Sequence, residues 1–106
     1  MKIAFCIEDF EGAGTMSKFF GTSEYFLVYD AYKKQMTEKL TNHLKNSSAS
    51  DILCAQVLIN RGINIVVCGE YEENSKKLFS EAKIEMFEGV NTTPKIFLKK
   101  YHTINQ

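Results

Sequence analysis

No stretch of this chain is apolar for anything near the roughly 20 residues that a membrane-crossing helix needs. Nor is there an excess of charge of either sign: thirteen basic residues balance thirteen acidic ones. Without a basic surplus there is no long-range pull on nucleic acid or anionic lipid, and neither is expected as a partner. Cysteine is scarce and scattered, with Cys6, Cys54 and Cys68 an odd and widely spaced set. That excludes a disulfide framework, and the absence of any Cys-x-x-Cys or Cys-x-x-His pair excludes a closed zinc site. The glycines complete no phosphate-binding motif: Gly12-Ala13-Gly14 is followed by neither Gly-x-x-Gly nor Lys-Ser/Thr, so these residues read as turn formers. No serine or cysteine is paired with a histidine by a local signature, so nucleophilic catalysis has no support and no enzyme is expected.

What remains is the composition of an ordinary globular chain. Its 106 residues, 44% hydrophobic and 25% charged, suit one domain over residues 1–106. The apolar start, residues 1–7, is too short for a signal peptide and is closed by Glu8 and Asp9, which points to a cytoplasmic protein with reduced thiols.

Residues 2–7 read as a buried strand, and residues 8–24 as a long loop with a short helical turn near Met16–Phe20. Tyr25-Phe26-Leu27-Val28-Tyr29 is strongly β-forming and ends at Asp30. Residues 34–40 suggest an exposed edge strand, antiparallel to the second, whose lysines discourage association. A monomer or weak homodimer is expected. Residues 42–50 look like an exposed polar loop. Ser50 then caps a helix to about Arg61, with Ile52, Ala55, Val57, Leu58 and Ile59 as its apolar face and Gly62 just beyond. Residues 63–68 form a buried strand ended by Gly69. A helix over 72–82 turns Leu78, Phe79 and Ala82 inward, and 84–87 is a short strand. Thr93 caps a last helix with Pro94 in its first turn and Ile96, Phe97, Tyr101 and Ile104 as its stripe. The order β-β-β-α-β-α-β-α implies an α/β fold: a five-stranded mixed sheet with helices on its faces.

In such a sheet ligands bind beyond the carboxyl ends of the strands, at a switch in strand order. That edge gathers Cys6, the 8–24 loop and Cys68. Two thiolates there suit a soft metal or an iron–sulfur cluster. Against this, small buried cysteines are usually core residues, and Cys54 reads as a packing residue on its helix. His43 and His102 have no partner at ligand spacing and read as solvated. Met16, Phe19 and Phe20 could cover a pocket or simply pack. Glu8, Asp9 and Glu11, with Asp30, allow a two-metal nuclease only if they converge, and a solvated loop is the plainer reading.

The succession Met1-Lys2-Ile3-Ala4, then residues 20–30 from Phe20-Gly21 to Tyr29-Asp30, then Ala55-Gln56-Val57-Leu58, then residues 61–69 ending in Cys68-Gly69, then Asn74, resembles the dinitrogenase iron–molybdenum cofactor biosynthesis family over about residues 1–90. The resemblance implies a ribonuclease H-like fold. It also implies a carrier or accessory protein for an iron–sulfur or iron–molybdenum cluster, with a client or scaffold protein as partner. It places Phe20, Gly21 and Asn74 beside the cluster, in addition to Cys6 and Cys68. Two departures stand out. Phe19 replaces a histidine of the family, and Glu72-Glu73-Asn74-Ser75 replaces Gly-Pro-Asn-Ala. A protein-interaction domain that kept the fold without a cluster is therefore the alternative, and a metal-dependent hydrolase on the same frame is a third reading.

Overall fold

The computed structural model describes residues 1–9 and 14–104, with side chains as far as Tyr101. Glu11, Gly12 and Ala13, and the side chains of His102 and Ile104, lie outside what is described. Five strands, β1 (Lys2–Ile7), β2 (Tyr25–Asp30), β3 (Gln35–Thr41), β4 (Ile65–Val67) and β5 (Glu85–Phe87), form one sheet in the order β3-β2-β1-β4-β5. The first three pair antiparallel, whereas β1–β4 and β4–β5 are parallel. Three helices complete the fold: α1 (Ser50–Asn60), α2 (Glu73–Glu81) and α3 (Pro94–Ile104). This is the α/β class and the element order that the sequence implies. No helix among the described residues is long and apolar enough to cross a membrane.

Alternation along the strands sorts the core into two layers. Ala4, Cys6 and Val66 face one side, where they meet Cys54, Ala55 and Leu58 of α1 and Phe79 of α2. Ile3, Phe5, Ile7, Ile65 and Val67 face the other, under Phe97 of α3. The buried central strands have apolar residues on both faces, as parallel neighbours require.

Several local expectations are corrected. Lys34 does not enter the edge strand. It sits at φ 55° as the last residue of the β2–β3 turn, where its amide donates to the Asp30 carbonyl at 2.8 Å, so β3 begins at Gln35. Ser50 is not a cap, because Ala49 holds that position and no side chain caps α1. The polar loop after β3 is not wholly exposed, because Asn42 is buried and Leu44 packs on the core. Ala82 and Ile96 face solvent. The stripe of α3 is Pro94, Phe97, Leu98 and Tyr101, the i, i+3, i+4, i+7 set, from which Ile96 points away. Thr93 does cap α3, its hydroxyl accepting from the Ile96 amide at 3.2 Å, and Gly62 takes φ 73° beyond α1.

Candidate functional site

The carboxyl ends of β1 and β4 are crossed by a strap of chain, residues 17–23. No helical turn forms near Met16–Phe20. Instead the backbone completes bridges from Ile7 to Met16 and from Phe19 to Glu70. The Ser17 amide donates to the Cys6 carbonyl at 2.7 Å. The Gly69 and Glu70 amides then donate to the carbonyls of Ser17 and Lys18 at 2.9 and 2.7 Å, and the Phe20 amide donates to the Glu70 carbonyl at 3.0 Å. The strap thus satisfies the backbone groups that the strand ends leave over.

Side chains fix its two ends. Glu8 accepts from the Ser17 hydroxyl and from the Glu24 amide, both at 2.9 Å. Buried Asn42 donates to the carbonyls of Gly21 and Ser23 at 3.2 and 2.8 Å. Its own carbonyl oxygen accepts from the Leu44 amide and from the Cys54 thiol. Gly21 is pressed onto the start of α1: a β-carbon there would stand 2.8 Å from Ser50 Oγ and 2.9 Å from the Asp51 nitrogen.

Beneath the strap lie Cys6 and Cys68. They follow the paired residues Phe5 and Val67 on adjacent strands and point into the same layer. Cys68 Sγ also lies 3.5 Å from the Ser17 carbonyl. Burial pushes the Cys6 thiol well above its usual value, and neighbouring Cys68 adds to the rise while the Ser23 side chain lowers it. Phe20 seals the pair, its ring 5.6, 5.7 and 5.3 Å from those of Phe26, Tyr71 and Phe79. Cys6, Cys68 and Phe20 are each 0% exposed. The Tyr71 hydroxyl lies 2.9 and 3.0 Å from the carbonyls of Val66 and Phe87, and burial, followed by the nearby Cys6 and Cys68, raises its pKa. Cys54 packs inside, as expected, with its pKa pushed up to about 11 chiefly by burial.

The two segments that carry the family resemblance do meet. The Gly21 amide donates to Glu72 Oε1 at 3.4 Å, a long bond. Glu72 Oε2 is buried and has no hydrogen-bond partner. Asn74, by contrast, is exposed. Phe19 is 46% exposed, with Lys18 Nζ 5.4 Å from its ring centroid. Among the described residues, Glu8 and Asp30 do not converge. Asp30 pairs in register with Lys2, at the opposite end of β1 from Glu8, and its carboxylate accepts from the Tyr32 and Lys33 amides. His43 is exposed, as expected. Sequence reasoning missed Asn42, Ser17, Ser23 and Glu72. Only Glu72 carried a signal, as a departure from the family pattern.

An open hollow of about 240 Å³ lies beside the strap, lined by residues 16–18, 69–70 and 89–91. Lys18 and Glu70 stand on its rim, both exposed. No group of three or more His, Cys, Asp or Glu side chains that could hold a metal ion occurs among the described residues. A polynuclear cluster does not fit between the two sealed thiols in this arrangement. The hollow has the room, and it offers backbone, one cation and one carboxylate rather than thiolate.

The sequence model of the family described as dinitrogenase iron–molybdenum cofactor matches residues 1–103. No curated protein matches the chain. Among solved structures, the apo form of the orange protein from Desulfovibrio gigas is similar at 22% identity and a TM-score of 0.86, over 96% of this chain and 87% of that one. A candidate NifB protein from Thermotoga is similar at 16% identity and 0.80, over 96% and 87% of the two chains. A candidate dinitrogenase from Methanocaldococcus jannaschii is similar at 19% and 0.65, over 95% and 86%. At these identities the likeness is one of fold.

Proposed function

This chain belongs to the dinitrogenase iron–molybdenum cofactor family, and from that premise we propose that it is a non-enzymatic carrier or accessory protein. Its cargo is a metal–sulfur cluster of the iron–sulfur or iron–molybdenum type, received from or passed to a client or scaffold protein. The observation that carries the reading is the open hollow beside the strap, at the carboxyl edge where a sheet of this kind takes its ligands. Metal–sulfur clusters are commonly anionic, and Lys18 supplies a positive charge on the rim. The surrounding backbone amides of Gly69, Glu70 and Gly89 are engaged in holding the loops, so Lys18 is the residue free to move onto the cargo.

The test is anaerobic loading. The protein is mixed with iron(II) and sulfide, or with tetrathiomolybdate, then desalted, and its visible absorption is recorded. A coloured band should elute with the protein and weaken severalfold in Lys18→Glu, a surface change that leaves the fold intact. Retained colour in Cys6→Ala and Cys68→Ala is the result expected of cargo in the hollow, and bleaching there would move the cargo onto the thiols. Absence of colour in every mixture overturns the carrier reading. It would favour the alternative of a protein-interaction domain without a cluster, which draws its support from exposed Phe19 and from the carboxylate of Glu72 beside Gly21.

A further inference from the structure

The buried thiols are left without a task by cargo in the hollow. The hollow is lined by Met16 and Val90, which belong to the α3 layer, whereas Cys6 and Cys68 lie in the layer of α1 and α2. We propose that Cys6 and Cys68 form a latent two-thiolate site for one soft, two-coordinate cation, closed by residues 17–23 as a lid that Glu72 predisposes to open.

The donor set fixes the class of ion. Parallel pairing of β1 with β4 delivers two sulfurs side by side on one face. No third His, Cys, Asp or Glu completes a set among the described residues. Structural zinc asks for four ligands and hard cations ask for oxygen, so two thiolates alone suit a soft ion in linear coordination. On binding, each thiol releases its proton to solvent and two sulfur–metal bonds form, with no change of oxidation state. The apolar walls, Phe20, Tyr71 and Phe79, shield the product from water and from competing ligands.

The lid closes over both sulfurs. The Ser17 carbonyl faces Cys68 at 3.5 Å, the Ser23 hydroxyl donates to the Phe20 carbonyl at 2.8 Å and so fixes the turn, and the Phe20 ring is buried in the same layer as Cys6 and Cys68. Its turn at Gly21 rests on Glu72, and that support is poor. Glu72 Oε1 receives one long bond of 3.4 Å, and Oε2 is buried without a donor. A carboxylate oxygen in that state raises the free energy of the closed form, and lifting the turn returns it to water. Opening is therefore easier than the density of strap hydrogen bonds suggests. Glu72→Gln keeps an acceptor for the Gly21 amide and removes the charge, so it should hold the lid shut.

Mercury(II) is the probe. The chain is titrated while the ultraviolet thiolate-to-mercury band is followed, with native mass spectrometry for stoichiometry and circular dichroism to follow the fold. One ion per chain is expected in the wild type and in Cys54→Ala, and none held tightly in Cys6→Ala or Cys68→Ala. The valine replacements serve if an alanine variant fails to fold. Uptake by Glu72→Gln should be about tenfold slower, the size expected when a buried, unpaired carboxylate oxygen gives way to an uncharged amide whose desolvation costs less. Stoichiometry unaffected by loss of Cys6 or Cys68, or uptake only as the dichroism is lost, overturns the site. Uptake by Glu72→Gln as fast as by the wild type overturns the lid. Residues 17 and 18 belong both to the lid and to the wall of the hollow, so the cysteine variants separate the two readings: they should abolish mercury binding and leave the colour of the loading test.

Discussion

Gly69 has no room for a side chain. A β-carbon there would stand 2.7 Å from the Lys18 carbonyl oxygen and 2.9 Å from that of Ser17. Both are backbone atoms of the strap, and both accept hydrogen bonds, from Glu70 and from Gly69 itself. Neither can yield without breaking the bridge. Gly69→Ala should therefore cost about 1–3 kcal/mol, read as a lowered urea midpoint at unchanged slope, and a midpoint equal to the wild type would show that the strap is not pinned there. Gly21 presents the same situation against α1. The sequence marks Phe20, Gly21, Cys6 and Cys68 as a group, and the structure brings them together, since adjacent strands and a loop over their ends follow from topology. What it hides is the reason for Gly21, which depends on Ser50 and Asp51, some thirty positions away. It also favours Asn74 over Glu72, because the helix start can be read but not which of its residues turns inward. Asn42 looks like one more polar loop residue, and nothing local tells that its amide group meets two carbonyls twenty residues back.

Regular elements were legible because their determinants are local. Runs such as Ile65-Val66-Val67 favour strands by their β-branched side chains, and the Thr93-Pro94 pair announces the start of α3. The strap was not legible, because its order comes from pairing with Glu70, about fifty residues on, while its own sequence, Ser-Lys-Phe-Phe-Gly-Thr-Ser, follows neither a strand nor a helix period. The start of β3 shifted by one residue because a lysine takes the left-handed position of the turn, which composition alone does not flag. At this scale α3 gives a direct test. It covers one face of the sheet through Phe97, whose ring lies edge-on to Phe5 at 5.6 Å and to Phe87 at 5.0 Å. Its first turn is held by the Thr93 hydroxyl. Thr93→Ala should cost about 1 kcal/mol, and Phe97→Ala about 3–5 kcal/mol. Hydrogen exchange should then quicken first in the 95–101 amides for the cap variant. Uniform quickening across the sheet would mean that α3 does not open separately.

Across the whole molecule, three of the weak acids buried in the α1–α2 layer, Cys6, Cys54 and Tyr71, are held in protonated form. All three have raised pKa values, chiefly through burial. In the unfolded chain the thiols titrate near their ordinary value of 9.0, whereas folded Cys54 waits until about 11 and Cys6 lies well above its ordinary value. Between those limits the folded state holds more protons than the unfolded one, so stability is complete below the unfolded pKa and falls as pH rises beyond it. Cys6 and Cys54 each contribute a slope approaching about 1.4 kcal/mol per pH unit in that interval. The expected outcome is a urea midpoint flat near neutrality that declines above about pH 9, the ordinary thiol value. Cys54→Ala should be less steep in that range, and Cys54→Ala with Cys6→Ala less steep again. A decline of equal steepness in all three proteins would place the alkaline sensitivity outside Cys6 and Cys54. The two layers differ in this respect, since the α3 layer, built around Phe5, Phe87 and Phe97, includes neither of the shifted thiols. Alkaline unfolding should therefore begin where α1 and α2 meet the sheet. A loss of near-ultraviolet dichroism that precedes the loss of helix signal would be its mark.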